Sequence, residues 1–576
     1  MSGIAGIATE SEDEQIGNLL QQMLETIKHH GPDSAGCVVE GTTTHKRHLH
    51  ELHLEKRKGH MALGHVKLPR GDGKPDAQPS QSRKGKLSIL LVGSLHNTHE
   101  LRGKLAGQTH METANECEVI LGLAERYYQG DLTAAMERVL PGLEGEYSLA
   151  MTDQKETLIA RDPTGLRQLY YVVNKDVAAF ASEKKALLTI GGPQVDIHRL
   201  EPGHLVTFDG KGFQGTHFWS PDSMRGEVPI DDKETALENY GIVFEEAICR
   251  RVADGKRVGV IFSGGIDSVL VAWMVKQSGV PLTCYTVGRD GGSDIGMART
   301  IAEQLELPIQ VKILGLEEIE KAIPEIMSTI EDHSLNQVEA AIAFFMATRM
   351  AAEAGETAVL TGQGPDEIFG GYPWYSAIVD REGYESFERY SWEDTLLSYK
   401  ETFDRENKIA TAHGLDMRVP YVDPKIITMA FRIRPELKIQ KGKDPFQKRI
   451  HREFALLRGI PEEIAFRKKE AAQHGANVHT ALEDLATKAG LTEDMIHNAG
   501  YDPDRSVTEK LGSSSRYGFR YGDDHLWKPL PHVQYYLDCI GADLNLLPPR
   551  SRDQWHETTG KLVKSDDHRG RDDRCE

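Results

Sequence analysis

Two serines, two glycines and an aspartate follow an apolar run in the middle of the chain. The run at 258–262 predicts a buried parallel strand, and the apolar residues at 269–275 predict a helix after the loop. Glycines let the backbone turn tightly beside an anion, and the start of a helix offers free N–H groups and the positive end of its dipole. The loop therefore predicts a pyrophosphate cradle formed by Ser263, Gly264, Gly265, Asp267 and Ser268.

A second glycine-rich loop follows another short apolar strand and also carries acidic residues. It contains Thr361, Gly362, Gln363 and Asp366. Loops at the carboxyl ends of two strands in a doubly wound sheet can converge on one ligand. Because Mg²⁺ favours one or two carboxylates together with phosphate oxygens, Asp267 and Asp366 are the predicted metal ligands.

A basic segment between residues 441 and 470 is the third candidate element. Such runs usually form a solvated charged face. A site that releases pyrophosphate, however, needs cations to offset the growing negative charge. Lys448 is the residue that we expect in that role.

Length and composition limit the class of protein. The 576 residues are too many for one hydrophobic core, so two domains are expected. A net charge of −20 argues against nucleic acid and anionic membrane surfaces as partners. The N-terminus lacks the features of a signal peptide, and the six scattered cysteines fit reduced thiols, so the sequence predicts a cytoplasmic protein.

The two expected domains differ in pattern. Residues 1–215 alternate strands and turns, 216–233 form a predicted linker, and 234–550 alternate strands with long helices as in a doubly wound sheet. Residues 551–576 are highly charged without apolar periodicity, which predicts a disordered tail. Strands are predicted at 87–92, 147–152, 157–160, 170–173, 205–208, 258–262, 282–287, 309–313 and 358–360, with helices at 16–28 and 118–127.

These elements together resemble the asparagine synthetase family, from residue 2 to about 480. Besides the two loops above, the matching segments include Gly3-Ile4-Ala5-Gly6-Ile7, His30-Gly31-Pro32-Asp33, Leu143-Glu144-Gly145-Glu146-Tyr147, Tyr285-Thr286-Val287-Gly288 and Met417-Arg418-Val419-Pro420-Tyr421. The resemblance implies a mixed α/β and α+β fold. An αββα glutaminase-like domain of the Ntn-hydrolase type would precede a doubly wound parallel-sheet synthetase domain of the ATP-pyrophosphatase type.

The resemblance also implies a two-step reaction. A carboxylate attacks the α-phosphate of Mg-ATP to give an acyl-adenylate and pyrophosphate, and an amine then displaces AMP. In that family chemistry Val287 and Gly288 would contact adenine, Thr361 and Gly362 would line the acyl site, and Lys448 would act at the α-phosphate. The implied partners are small molecules: ATP, aspartate or another carboxylate, and ammonia or another amine. A homodimer is left open.

The first domain departs from the family at its nucleophile. The family uses Cys directly after Met1, whose thiol attacks and whose amine is the base, and this chain has Ser2. Lys67 stands where the family has the arginine that binds the glutamine carboxylate, Val92 and Ser94 replace an Asn and a Glu, and Glu116 replaces an Asp. Val92 cannot donate a side-chain hydrogen bond to an oxyanion. We therefore expect glutamine hydrolysis to be weak or lost.

The synthetase domain departs at Gln363, where some asparagine synthetases carry Glu. An amide cannot be a general base near pH 7. Gln363 therefore either only positions the substrate carboxylate, or the substrate differs from aspartate. Three functions follow: ammonia-dependent asparagine formation, amidation or cyclisation of another carboxylate, and a non-catalytic nucleotide-binding scaffold.

Overall fold

The computed structural model divides the chain into two compact units, Met1–Arg225 and Gly226–Glu576. The boundary falls inside the segment predicted as a linker. Pro32 and Asp33 of one quoted segment, and residues 443–445 and 468–470 of the basic segment, lie outside the described residues. The structure describes residues 2–31, 34–67, 78–105, 115–174, 177–192, 195–209, 212–225, 228–442, 446–467, 475–506 and 530–572.

The first unit is built from antiparallel strands and short helices. Its strands are β1 (Ser2–Asp13), β2 (Ser34–Val39), β3 (Thr42–Lys46), β4 (Gly59–Lys67), β5 (Ser80–Gln81), β6 (Ser88–Leu95), β7 (Gly145–Thr152), β8 (Thr157–Arg161), β9 (Tyr170–Val173), β10 (Val177–Ala181), β11 (His198–Arg199), β12 (His204–Phe208) and β13 (Phe213–His217). Its helices are α1 (Ile16–Thr26), α2 (Thr98–Leu105), α3 (Glu116–Tyr127), α4 (Leu132–Val139) and α5 (Lys184–Gly191).

Three hydrophobic cores arrange these elements in four layers. The sheets have the orders β11-β9-β10-β1-β4-β2-β3 and β13-β12-β8-β7-β6-β5. One core joins α1 and α5 to the first sheet, a second lies between the sheets, and a third joins the second sheet to α3 and α4. Leu90 and Leu91 of β6 enter different cores, as the two-residue period of a strand requires. The layers are therefore αββα, as predicted.

The second unit contains a parallel sheet with the order β16-β15-β14-β17-β18. Its strands are β14 (Val258–Ile261), β15 (Leu282–Gly288), β16 (Ile309–Ile313), β17 (Ala358–Leu360) and β18 (Asp416–Arg418). The chain runs outward from β14 to β16 and then returns to β17 on the other side of β14. This reversal makes a topological switch point at the carboxyl ends of β14 and β17, where ligands bind in doubly wound sheets.

Helices surround this sheet. They are α6 (Lys233–Arg251), α7 (Ile266–Gln277), α8 (Ser293–Gln304), α9 (Leu316–Ile330), α10 (Leu335–Glu353), α11 (Pro365–Phe369), α12 (Pro373–Glu382), α13 (Tyr384–Ser398), α14 (Asp404–Ala412), α15 (Pro424–Arg432), α16 (Arg449–Leu457), α17 (Glu462–Ala465), α18 (His479–Lys488), α19 (Glu493–Asn498), α20 (Pro503–Ser506), α21 (Pro531–Asp543) and α22 (Pro549–Asp572). A π-helical turn, Tyr399–Phe403, joins α13 to α14. Among the described residues, no helix is long and apolar enough to cross a membrane.

The prediction of a disordered tail from residue 551 is wrong for most of that segment, because α22 occupies it through Asp572. The helix docks through few side chains, mostly polar. Trp555 packs against the cluster of Ile496, Tyr501 and Tyr535, and Gln554 Nε2 donates to the Asp502 carbonyl at 2.9 Å. Polar docking of this kind leaves no apolar periodicity in the sequence, so the pattern could not show it.

Glu339 on α10 gives a stability prediction, because burial raises the pKa of its carboxyl to about 7. The folded chain then binds more protons than the unfolded chain between about pH 4 and 7, so this group lowers stability as pH rises through that window. Glu339→Gln is expected to stabilise the protein by about 1–3 kcal/mol at pH 8 and by less at pH 5. Urea midpoints at the two pH values measure this.

The matched control is Glu353→Gln, at the exposed end of the same helix. It is expected to shift the midpoint little at either pH. An equal effect of Glu339→Gln at pH 5 and pH 8 would contradict the assignment of its stabilisation to a buried charge.

Candidate active site

The predicted pyrophosphate loop lies between the end of β14 and the start of α7. Gly264 has a φ of +73°, which favours glycine, and Gly265 is the N-cap residue of α7 and has no side chain to cap it. The Ser263 hydroxyl accepts from the Gly265 N–H at 3.2 Å, and the Ser268 hydroxyl donates to the Gly265 carbonyl at 3.0 Å. The serines thus brace the loop, and the helix start presents N–H groups suited to an anion.

The second loop packs directly on the first because residue 362 is glycine. A Cβ on Gly362 would lie 2.6 Å from the Ser268 nitrogen and 2.8 Å from the Asp267 carbonyl carbon. No side chain fits between two backbones at that distance. Thr361, directly before it, donates its N–H to the Arg418 carbonyl of β18 at 3.2 Å. The structure therefore brings the loops after β14 and β17 together, as the sequence predicts.

Lys448 lies between the two predicted metal ligands. Its Nζ is 2.6 Å from Asp267 Oδ2 and 2.7 Å from Asp366 Oδ1, and the lysine side chain is 1% exposed. Burial opposes ionisation of both Asp267 and Lys448. The Lys448 ammonium and the nearby His451 nevertheless hold the pKa of Asp267 well below its usual range. Although burial lowers it, Asp267 and Asp366 raise the pKa of Lys448. The ionised pair is the stable form near neutral pH.

Arg452 positions Lys448 through the backbone. Gln447 and Lys448 have φ values of 54° and 46°, a left-handed conformation that non-glycine residues rarely adopt. The buried Arg452 guanidinium donates from Nε to the carbonyls of Phe446 and Gln447, both at 2.9 Å, and from Nη1 to Ala465 at 2.7 Å. Part of the basic segment is therefore internal structure, and not the solvated face that such runs usually form.

Sequence reasoning missed three residues around Asp267. His451 Nε2 lies 3.1 Å from Asp267 Oδ1, and the Tyr240 hydroxyl is 2.7 Å from His451 Nδ1. The Tyr421 hydroxyl donates to the Asp267 carbonyl at 3.1 Å. His451 lies in the first turn of α16, three residues after Lys448, and this short spacing could have found it. Tyr240 comes from a distant part of the chain and leaves no local signal. Tyr421 stands in a segment that matches the family, but nothing in that segment indicates a contact with Asp267.

A second buried carboxyl follows Asp366. Burial and the charge of Asp366 raise the pKa of Glu367 to about 8, and the Tyr372 hydroxyl donates to Glu367 Oε1 at 2.5 Å.

Gly371 leaves room for the side chains of Asp366 and Lys448 to meet. A Cβ on Gly371 would lie 1.9 Å from Asp366 Oδ1 and 2.1 Å from Lys448 Cε. The glycine is therefore required for the contact between these two side chains.

The predicted adenine contacts lie at the end of β15. The Gly288 carbonyl accepts from the Leu314 N–H at 2.8 Å, and a Cβ on Gly288 would lie 3.1 Å from the Ala476 carbonyl oxygen. Arg467 Nη1 donates to the Gly264 carbonyl at 3.2 Å, at the pyrophosphate loop. Val287 is buried beside Gly288. The role of Val287 and Gly288 in adenine binding remains a prediction.

In the first unit, the structure places Ser2 opposite Lys67 in adjacent strands. His30 Nδ1 donates to the Ser2 carbonyl at 3.2 Å. Val92, on the other sheet, packs against the core between the sheets. Glu116 Oε1 accepts the Leu95 N–H at 3.0 Å. Ser2 and Lys67 thus lie on β1 and β4 of the first sheet. Val92 lies on β6 of the second sheet, and Glu116 begins α3, which packs on that sheet.

Comparisons with known proteins agree with this architecture. The family description "Asparagine synthase" matches residues 240–385 and 379–538, and "Glutamine amidotransferase domain" matches residues 1–207. A Methanocaldococcus jannaschii protein provisionally named asparagine synthetase (glutamine-hydrolyzing) 1 is 27% identical, over 86% of this chain and 97% of that protein. The asparagine synthetase (glutamine-hydrolyzing) of Triphysaria versicolor is 26% identical, over 89% and 84%.

A solved structure also matches weakly. Glutamine phosphoribosylpyrophosphate amidotransferase from B. subtilis, complexed with ADP and GMP, is 19% identical over 63% of this chain and 82% of that chain. Its TM-score is 0.34, so nothing further rests on it.

An Ntn-type αββα unit followed by a doubly wound parallel-sheet unit defines a two-domain carbon–nitrogen ligase. The chain belongs to the asparagine synthase family, which uses ATP. The family and fold expected from the sequence are thereby confirmed.

Proposed function

We propose that this chain forms an amide from a carboxylate and ammonia through an acyl-adenylate, with aspartate as the leading carboxylate. The observation that carries the proposal is Lys448, held between Asp267 and Asp366 at the switch point of the parallel sheet. A preorganised cation at that place opposes the charge that develops as pyrophosphate leaves.

The proposed first step assigns a task to each loop. A carboxylate oxygen of the substrate bonds to the α-phosphorus, and the bond from that phosphorus to the β-phosphate oxygen breaks. The leaving pyrophosphate meets the N–H groups at the start of α7 and the hydroxyls of Ser263 and Ser268. Lys448 offsets charge at the α-phosphate. Gly362 keeps the acyl loop against this cradle.

The donor set fits Mg²⁺. Asp267 and Asp366 come from different loops, yet each has an oxygen within 2.7 Å of one ammonium nitrogen, so both carboxylates reach the same small volume. Two carboxylates with phosphate oxygens suit this ion. When bound, Mg²⁺ would neutralise charge on the phosphates. Asp267 and Asp366 are the residues that would hold it.

Glutamine is proposed to be a poor nitrogen source. Ser2 replaces the thiol that the family uses, and a hydroxyl is a much weaker nucleophile at neutral pH. The side chain of Val92 packs into the core between the sheets and has no polar atom to bind an oxyanion. Lys67 lies beside Ser2 but lacks the planar fork with which arginine binds a carboxylate.

The test is pyrophosphate release from Mg-ATP with aspartate and either ammonium, glutamine or no nitrogen source. We expect release coupled to asparagine with ammonium, little with glutamine, and none in Asp267→Ala. Equal rates with glutamine and ammonium would contradict the proposal that the first unit hydrolyses glutamine weakly or not at all.

A second candidate function is amidation or cyclisation of another carboxylate, and Gln363 favours it. The side chain of Gln363 is partly exposed in the loop expected to line the acyl site, where some asparagine synthetases carry Glu. Release that requires a different carboxylate would support this function. Nucleotide binding without any pyrophosphate release would instead indicate a scaffold.

A further inference from the structure

A glutamate from a distant helix lies beside Gln363. Gln363 Nε2 donates to Oε1 of Glu406 on α14 at 2.7 Å. The loop that lacks a carboxylate at position 363 thus has one next to it, supplied 43 residues further along the chain.

The second oxygen of this carboxylate, Glu406 Oε2, is the one available to accept a proton. The Glu406 side chain is 2% exposed, and among the described residues its Oε2 has no hydrogen-bond partner. Burial, only partly offset by Arg405 and Gln363, raises the pKa of Glu406 to about 7. A buried carboxylate oxygen without a donor is costly, and a perturbed carboxyl beside a loop of the site is a candidate for a functional role.

The surrounding helix fixes Glu406 in place. The π-helical turn Tyr399–Phe403 directly precedes α14, and π turns occur frequently at functional sites. Arg405 Nη1 donates to Gln337 Oε1 at 2.9 Å and to the Glu401 carbonyl at 2.6 Å, which ties the turn to α10. The position of Glu406 is therefore built into the backbone.

The charged groups around α14 leave Oε2 of Glu406 without a partner among the described residues. Arg405 Nη2 lies 3.5 Å from the other oxygen, Glu406 Oε1. Lys408 is paired with Glu331 at 2.6 Å, and Arg418 of β18 is paired with Asp416 at 2.9 Å. Asp267 is paired with the Lys448 ammonium at 2.6 Å.

We propose that Glu406 Oε2 accepts the proton that the nitrogen nucleophile loses when it attacks the acyl-adenylate. This inference rests on the proposed function. Ammonia forms a bond to the acyl carbon, the bond from that carbon to the AMP oxygen breaks, and its electron pair leaves with AMP. The one proton that the nitrogen must lose to become an amide passes to the Glu406 carboxylate. Gln363 orients that carboxylate through Oε1.

The test separates the two half-reactions in Glu406→Gln, an isosteric change that keeps an oxygen for Gln363 to bind. Aspartate-dependent exchange of labelled pyrophosphate into ATP reports adenylation alone, and we expect it within threefold of the unmodified chain. Ammonia-dependent asparagine formation is expected to fall by about 10²–10⁴, the usual contribution of general base catalysis.

A double variant that exchanges the carboxylate and the amide of this pair tests the same role. The double variant Gln363→Glu/Glu406→Gln returns a carboxylate to the same hydrogen-bonded pair and is expected to recover part of the ammonia-dependent rate. The control is Glu385→Gln, at an exposed position on α13, which is expected to change neither half-reaction. Thermal unfolding confirms that each variant is folded.

The outcomes are distinguishable. An equal loss of exchange and of asparagine formation in folded Glu406→Gln would overturn the inference, because Glu406 would then act in carboxylate binding. An undiminished ammonia-dependent rate would overturn it too. If the unmodified chain showed no aspartate-dependent exchange, the proposed function itself would fail, and this inference with it.

Discussion

Replacing Lys448 with methionine is expected to lower aspartate-dependent pyrophosphate release by at least about a hundredfold. The ammonium is the buried cation at the switch point, and removal of one preorganised electrostatic group of this kind costs about 10²–10³ in rate. Rates at saturating Mg-ATP, aspartate and ammonium measure the effect. A methionine variant with the unmodified rate would contradict the role of Lys448.

The same substitution also affects stability. Without the ammonium, Asp267 and Asp366 lose the cation that lies between them, and breaking a buried ion pair costs about 3–5 kcal/mol. Mg²⁺ is expected to recover much of that stability, since the two carboxylates suit it, without recovering the rate. Lys425→Met is the control, because Lys425 is about half exposed and far along the sequence from both loops. It is expected to alter neither property.

Gly371→Ala is expected to lower the same rate by about a hundredfold or more while the protein remains folded. The new Cβ would lie 1.9 Å from Asp366 Oδ1 and 2.1 Å from Lys448 Cε, so these side chains must separate. A displacement of about 1 Å in an active site can cost 10²-fold. Because Gly371 does not have a positive φ, the effect comes from the lost space and not from backbone strain.

Gly296→Ala is the matched control for Gly371→Ala. Gly296 lies inside α8, and a Cβ there would meet nothing within 4 Å. We expect this change to keep full activity and to raise stability by about 0.5–1 kcal/mol, the usual gain of alanine in a helix. Similar activity in both alanine variants would show that the contact beside Gly371 is not needed.

Local patterns were enough to predict the elements that carry the site. The four strands expected at 258–262, 282–287, 309–313 and 358–360 correspond to β14–β17 within one residue at each end. Their apolar runs and the glycine loops after them are short-range features, and a parallel sheet brings strand ends to one edge. Asp267 and Asp366 could therefore be grouped from the sequence, and Lys448 was added because a site that releases pyrophosphate needs a cation.

The remaining parts of the site depend on long-range contacts. The bond between Gln363 and Glu406, and the position of Tyr240 beside His451, join segments 43 and 211 residues apart. No spacing rule reaches that far. β18 has three residues, two of them charged, and was missed because its partner β17 and not its own composition makes it a strand.

The four layers of the first unit also bear on how this chain can evolve. Its three cores are built from apolar side chains of both sheets and their helices, and Ser2, Lys67 and Glu116 lie outside them as polar residues. Val92 even adds apolar surface to the middle core. Apolar side chains thus hold the shape of this unit, and its chemistry depends on other residues. The same architecture can therefore be inherited whether or not the unit hydrolyses glutamine.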